Sequence, residues 1–330
     1  MKIIALEEHF LAPEIAKASA PEAHRLSPHF GAAYDPRAGL SYSPALEVLT
    51  DLGEKRIADM DQHGISMQVL SCLSTQQLPP TDAQELVRAA NDTLARAVSA
   101  HPDRFAGFAA LPTSVPAAAA DELERCVTEY GFLGTMIMGR TAGQFLDADA
   151  FDPVLHRAHD LDVPIYLHPG VPPTEVTEAN YAGLDPLVVA RFQTSAWGWH
   201  QETAVHFLHM VLAGVFDRYP RLQIILGHWG EMIPFYLDRL DEALPREVTE
   251  LDRTIGEYVR QNTYITPSGM FSHAQLQFCL ETVGVDRILF SVDYPFVGND
   301  GAAAFLADAE LPDEDKDKIA HGNTERLLRL

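Results

Sequence analysis

Short β-branched runs alternate with longer amphipathic stretches along this 330-residue chain, about eight times over. No other feature constrains the fold as much. A strand, a helix and a second strand in succession place the two strands parallel in one sheet, because a parallel crossover needs room for a helix. The first run, residues 1–6, is rich in Ile and reads as a buried strand. Further strands are predicted over 67–70, 105–111, 132–138, 163–167, 222–226, 263–266 and 287–292. Helices are predicted over 45–63, with Gly64 as a left-handed stop, and from Thr81 or Asp82 to about residue 100, with Glu85 completing a capping box. Others follow over 116–131, 150–161, 201–219 and 233–243, then from a Ser272–Gln275 cap to 283, and in a last stretch broken at Gly322-Asn323. Two segments interrupt the rhythm. Residues 10–45, rich in Pro, Ala, Gly and Ser, read as a long loop after strand one. Residues 169–198, with their prolines and the step Trp197-Gly198-Trp199, form an insertion between strand five and its helix. The pattern predicts a (β/α)8 TIM-type barrel and a single domain over 1–330. A doubly wound sheet is the alternative, weakened because no GxGxxG follows the first strand.

The polar residues fall at consistent places in this frame. Glu7 and His9 alternate on strand one and share a face, while Glu8 points the other way. A carboxylate beside an imidazole at the end of a buried strand is costly unless compensated, and a divalent metal is one compensation. His168 ends strand five, His228 ends strand six and Asp293 ends strand eight. In a barrel these ends converge on the C-terminal face, where such enzymes build their sites. Taken singly, a histidine at a strand end is ordinarily a hydrogen-bonded structural residue, and an Asp before Tyr-Pro ordinarily starts a turn. Five such residues gathered at strand ends are not explained that way. Two histidines and two carboxylates suit zinc, or manganese as a harder ion. Glu231, three residues after His228, fits both an orienting partner for that imidazole and an acid in the first turn of a helix. His206 and His209 lie well beyond the strand ends and read as helix-face residues.

A net charge of −23 argues against nucleic acid or an anionic membrane as partner, since both require basic patches. Cys72, Cys126 and Cys279 lie far apart without CxxC spacing, which points to reduced core thiols and a cytoplasmic location. No signal peptide is expected at Met1-Lys2, and no apolar run approaches the ~20 residues of a spanning helix.

The motifs Glu7-Glu8-His9-Phe10, Tyr166-Leu167-His168-Pro169, Gly227-His228-Trp229-Gly230-Glu231 and Phe290-Ser291-Val292-Asp293-Tyr294-Pro295-Phe296 resemble those of the amidohydrolase-related metal-dependent decarboxylases. The nearest members are the dihydroxybenzoate (γ-resorcylate type) decarboxylases. Phe216-Asp217-Arg218-Tyr219-Pro220 and the ending from Lys318 to Leu330 are similar as well. The resemblance implies an amidohydrolase-like barrel and one divalent metal, with Glu7, His9, His168 and Asp293 as ligands. It puts His228 beside the metal, as ligand or as acid/base. Arg239 matches a position that contacts the substrate's acidic group in relatives, and Trp197 and Trp199 match an aromatic stretch that lines the pocket. Hydrolytic branches of the superfamily usually carry His-x-His on strand one, and binuclear members a bridging Lys near strand four. Here strand one has Glu7-x-His9, and Gly134-Thr135-Met136-Ile137-Met138 has no Lys, which argues for one metal. The dihydroxybenzoate decarboxylases share an Asn then Gly after strand four. This chain has Met138 then Gly139-Arg140, an apolar side chain in place of an amide, and Gly170 where relatives often carry a larger polar residue.

These readings predict a non-oxidative decarboxylase of a hydroxylated aromatic acid. Asp293 would protonate the ring carbon, His228 with Glu231 would relay a proton or stabilise the ring hydroxyl, and Met138, Trp197, Trp199 and Arg239 would contact substrate. The alternative is a hydrolase of a lactone, ester or amide acting through a metal-bound water, or a hydratase of a ring-cleavage acid. The resemblance also implies a homodimer or homotetramer.

Overall fold

A computed structural model describes residues 1–28 and 44–330. β1 (Ile4–Phe10), β2 (Met67–Cys72) and β3 (Phe105–Gly107) pair in parallel in that order. β4 (Thr135–Met138), β5 (Ile165–His168), β6 (Ile224–Leu226) and β7 (Thr263–Ile265) form a second parallel run. Single bridges, Ala109 to Thr135 and Ile265 to Ile288, extend the pairing beyond the regular ladders. The Leu289 N–H donates to the Ile265 carbonyl at 2.9 Å, and the Leu6 N–H donates to the Phe290 carbonyl at 3.2 Å. Residues 288–292 thus connect β7 back to β1 as the eighth stave of the barrel, although they pair too briefly to form a regular strand.

The strands are buried on both faces, which is why their sequences are nearly continuous apolar runs. Ile4, Leu6, Val69, Met136, Tyr166 and Ile225 pack together inside the ring. Ile3, Ala5, Leu70, Ile137, Leu167 and Ile224 pack outward against the helices. The register of β1 shifts once. Ala5 is opposite Gln68 and Glu8 is opposite Leu70, so β1 holds one extra residue between them. Such a bulge re-aims the side chains that follow it. Leu6 faces inward before the bulge, and Glu7 and His9 face inward after it, so apolar packing gives way to polar chemistry within one residue.

Several local expectations change. The segment expected as a loop after strand one begins with a helix, Pro13–Leu26, with Pro13 in its first turn, where a missing N–H costs nothing. The remainder of that expected loop, 29–43, lies outside the described residues. The helix expected over 45–63 is two, Leu46–Leu49 and Glu54–His63, and Gly64 ends the second at φ 77° as expected. The Thr81/Asp82 capping box does not form, because the helix already starts at Pro80 after Pro79. Ser272 does cap its helix, accepting from the Gln275 N–H. The insertion carries two short helices, Thr174–Asn180 and Pro186–Phe192. The helix expected over 201–219 runs from Gly198 to Leu212, and Gly214 at φ 69° separates it from Val215–Arg218. Among the described residues no helix is long and apolar enough to cross a membrane.

Candidate active site

Glu7 and His9 from β1, His168 from β5 and Asp293 from the eighth stave meet at one end of the barrel, with one donor atom from each within 4.8 Å of the others. Each contributes a buried atom that has no hydrogen-bond partner among the described residues: Glu7 Oε1, His9 Nε2, His168 Nε2 and Asp293 Oδ1. His9 Nε2 lies 3.0 Å from Asp293 Oδ1, and His168 Nε2 lies 3.4 Å from Glu7 Oε1. Four unpartnered polar atoms aimed at one point are what a divalent cation requires, and in folded proteins most buried polar groups are paired.

The far sides of these side chains are held by the protein. Glu7 Oε2 accepts from the hydroxyls of Tyr166, Ser268 and Ser291, which leaves Oε1 facing the cluster. The His168 Nδ1–H donates to the Pro169 carbonyl at 2.8 Å, and His9 Nδ1 is 3.1 Å from Ser71 Oγ, so Nε2 of each ring faces its neighbours. Burial, with His9 and His228 nearby, holds His168 well below the usual imidazole range, in the neutral form that binds metal. Burial raises the Glu7 carboxyl, a sign that its charge calls for a cation. Gly227 leaves room here, since a Cβ at that position would lie 2.6 Å from Ser268 Oγ and 3.0 Å from Glu7 Oε1.

His228 and Glu231 sit on a turn of unusual backbone. His228, Trp229, Gly230, Glu231 and Met232 all have positive φ, between 49° and 78°. Only Gly230 adopts this region freely, so the other four are strained by about 1–2 kcal/mol each. Tertiary bonds fix the turn: the His228 N–H donates to Ser268 Oγ (2.9 Å), the Trp229 N–H to the Thr266 carbonyl (2.8 Å), and the Trp229 indole to the Met270 carbonyl (2.8 Å). Asp293 is also left-handed, at φ 69°. Glu8 clamps it from behind, accepting the Val292 N–H at 3.0 Å and the Tyr294 N–H at 3.1 Å, while burial pushes its own carboxyl up to about 7.

Glu231 is buried, and its carboxylate bridges two histidines. It accepts from His228 Nδ1 at 2.8 Å and from His200 Nδ1 at 2.9 Å. Burial opposes charge on both partners, yet the mutual attraction wins. Glu231 is held below the usual carboxylate range by His200 and His228, and His228 is lifted to about 9 by Glu231 and Glu7. None of the bridging atoms is left without a partner, which marks this group as a hydrogen-bonded relay rather than a second metal site.

The other expected site residues divide. Met138 is buried inside the barrel at the end of β4, with His168 as its register partner. Trp199 is half-buried and its indole N–H donates to His200 Nε2 at 3.0 Å. Trp197 is 43% exposed and bonds Gln201 instead. Arg239 is not brought to the cluster. It is exposed on the helix Ile233–Ala243 and pairs with Glu242 at 2.9 Å, because the turn before that helix carries it outward. Gly170 is explained by packing: a Cβ there would lie 2.6 Å from Gly139 Cα and 2.8 Å from the Met138 carbonyl, so β4 and β5 end back to back. Sequence reasoning missed Glu8 as a clamp, Tyr166 and Ser268 as partners of Glu7, and His200. The Trp199-His200 step beside an expected helix start was the available signal for the last.

The chain is similar to known proteins along nearly its whole length. The sequence profile of the amidohydrolase family matches residues 51–330. The γ-resorcylate decarboxylase of a Rhizobium species is 36% identical, over 99% of this chain and 98% of its own. The crystal structure of dihydroxybenzoic acid decarboxylase from a Polaromonas species, with manganese and the inhibitor 2-nitroresorcinol, superposes at a TM-score of 0.86 with 36% identity, covering 100% of this chain and 97% of the other. That of 5-carboxyvanillate decarboxylase from Novosphingobium aromaticivorans, in a mutant form with manganese and 3-methoxy-4-hydroxy-5-nitrobenzoic acid, superposes at 0.88 with 32% identity, covering 100% and 97%.

Proposed function

The chain belongs to the amidohydrolase family, and on that premise we propose that it is a metal-dependent, non-oxidative decarboxylase of a hydroxylated aromatic carboxylic acid. The observation that carries the reading is the set of four buried, unpartnered donor atoms converging at the barrel's end. The hydrolase and hydratase alternatives are set aside, because curated relatives that are 35–36% identical over 99% of this chain are decarboxylases.

Glu7, His9, His168 and Asp293 would hold a divalent ion, which would supply positive charge for the substrate's acidic groups. Two imidazoles and two carboxylates accept zinc or manganese, and manganese is the ion in the two solved relatives. The Asp293 carboxyl delivers a proton to the ring carbon that bears the carboxylate. The ring loses aromaticity and the exocyclic C–C bond weakens. CO2 leaves, the bonding pair returns to the ring, and the delivered proton remains in the carboxylate's place. Asp293 then regains a proton from water. His228, held at Nδ1 by Glu231, exchanges a proton with the ring hydroxyl through Nε2. Each such proton transfer contributes about 10²–10⁴-fold. Met138 and Trp199 form an apolar wall for the ring.

We place the protein in the cytoplasm as one domain over 1–330, supported by three free, buried thiols. We propose a homodimer or homotetramer. The exposed aromatic face of Phe235, Tyr236 and Phe278, beside Arg239, supports it, with ring centroids 5.6 and 5.7 Å apart.

The test is elemental analysis of the purified protein, then 13C NMR with carboxyl-labelled hydroxybenzoates on the same sample. About one metal per chain and label appearing as bicarbonate are expected. A stoichiometric metal with no label released from any acid would overturn the reading.

A further inference from the structure

The bridge on Glu231 has two ends, and the proposed chemistry uses only one. We propose that His200 is a positioning residue for His228, acting through Glu231; this rests on the role given to His228 above. His200 is supplied by the insertion, at the start of the helix Gly198–Leu212, 31 residues from its carboxylate partner. Its Nδ1–H donates to Glu231 Oε2 at 2.9 Å, and its ring meets that of His228 edge-on at a centroid distance of 4.3 Å. Its other nitrogen, Nε2, is engaged by the Trp199 indole N–H at 3.0 Å and lies 3.1 Å from the Ser195 carbonyl. Trp199 therefore holds one edge of the ring, and Glu231 is held by the other.

Glu231 needs this second donor. Its side chain is fully buried, and His228 engages only Oε1. Without His200, Oε2 would be a buried carboxylate oxygen without a partner, free to rotate toward the His228 Nδ1–H or toward water. With both oxygens engaged, the carboxylate plane is fixed. The His228 Nδ1–H then points at Glu231, and Nε2, which has no partner among the described residues, remains the reactive nitrogen. His228 itself stands on strained left-handed backbone at φ 49°, so its side chain depends on contacts of this kind for its orientation. The same chain of bonds ties the ring of Trp199, a wall of the proposed pocket, to the proton-transfer group.

The experiment compares wild type, His200→Leu and His200→Asn, each zinc-loaded. Asn places an amide N–H close to the position of Nδ1, and Leu places none. Elemental analysis gives metal per chain, and release of labelled carboxyl gives kcat and KM on the best acid of the hydroxybenzoate panel. His200→Leu should lose about 10–100-fold in kcat, the usual effect of removing an outer-shell partner. Its KM and metal content should stay within about twofold, and His200→Asn should recover most of the loss. Unchanged kcat in His200→Leu, or equal losses in both variants, overturns the proposal. A second readout is independent of turnover: the downfield proton NMR signal of the His228 Nδ1–H, assigned by its loss in His228→Gln. It should persist in His200→Asn and broaden or vanish in His200→Leu, and an unaltered signal in His200→Leu overturns the proposal. A wild type that releases no label from any acid would instead refute the decarboxylase reading, with the NMR comparison still deciding the role of His200.

Discussion

Removing the metal should destabilise the fold by an amount the cluster sets. Four buried atoms, from Glu7, His9, His168 and Asp293, have no hydrogen-bond partner among the described residues. A buried polar group left unsatisfied costs about 1–3 kcal/mol, so four cost about 4–12 kcal/mol. Two of the contacts can relax. His9 Nε2 stands 3.0 Å from Asp293 Oδ1, so the tautomer with its proton on Nε2 can donate there, and a proton held on the Glu7 carboxyl, which burial raises, can reach His168 Nε2 at 3.4 Å. That favours the lower end, about 4 kcal/mol. With an unfolding entropy of about 2.1 cal/mol/K per residue, this is a fall of about 6 K in Tm for 330 residues. The assay is calorimetry on replete, chelator-dialysed and reconstituted protein. Glu7→Gln is the control. Its amide oxygen can still accept from Tyr166, Ser268 and Ser291, so the fold is retained, but its NH2 faces the cluster and opposes a cation. It also removes a buried charge, so its metal-free form should melt no lower than metal-free wild type and should not respond to added metal. Replete and chelated wild type melting within about 1 K of each other, with elemental analysis confirming one metal gained and lost, would refute the assignment of these four residues.

Three further outcomes follow from named contacts. Asp293→Asn should bind metal less tightly and, when saturated, release CO2 about 10²–10⁴-fold more slowly, because an amide cannot deliver the proton; single-turnover label release measures this, and wild-type turnover would sink the role. His206 is held down to about 3, first by burial and then by Arg140 and His209, and its Nε2 accepts the Leu146 N–H at 2.8 Å. Its folded value lies below its unfolded one, so its contribution is complete above about pH 6.5 and is lost as pH falls toward about 3, by about 1.4 kcal/mol per pH unit. Urea denaturation at pH 7, 6 and 5 should show that slope flattened in His206→Gln by the same amount, and equal slopes would refute it. Gly170→Ala should cost about 1–3 kcal/mol in urea denaturation, since its Cβ would press on Gly139 Cα and the Met138 carbonyl, and a neutral result would mean that β4 and β5 part more easily than their contact implies.

The fold was legible where sequence neighbours determine it. Strand cores such as Ile165–His168 and Ile224–Leu226 are short apolar runs buried on both faces, and they were found within a residue or two of their bounds. The eighth stave was placed correctly even though it pairs through single bonds. The helix Pro13–Leu26 was missed because Pro, Ala and Ser were counted as loop formers. Pro13 stands in the first turn, where Pro is favoured, and Ala is the strongest helix former, so composition misled where position would not have. The four donors of the cluster were legible because each stands at or just beyond the end of an apolar run in the sequence. Arg239 was misplaced because its location depends on the direction of a helix, and that direction is set by the turn before it.

That turn shows what local sequence could not reveal. From His228 to Met232 only Gly230 favours positive φ, so propensity argues against the conformation at four of five positions. It is fixed by Thr266, Ser268 and Met270, residues some 40 positions away whose proximity exists only in the closed barrel. The bulge in β1 has the same character, since the extra residue between Ala5 and Glu8 is defined only against β2. The two devices serve different groups. The bulge aims Glu7 and His9, two of the proposed metal ligands, whereas positive φ aims the groups proposed for proton transfer, His228 on its turn and Asp293 under the Glu8 clamp. Buried carboxylates outside the donor set, Glu8 and Glu231, hold those strained residues in place. The proposed metal ligation and proton transfer meet at Asp293, but Glu7 and His200 lie on separate contacts, and that is why Glu7→Gln and His200→Leu test different halves of one site.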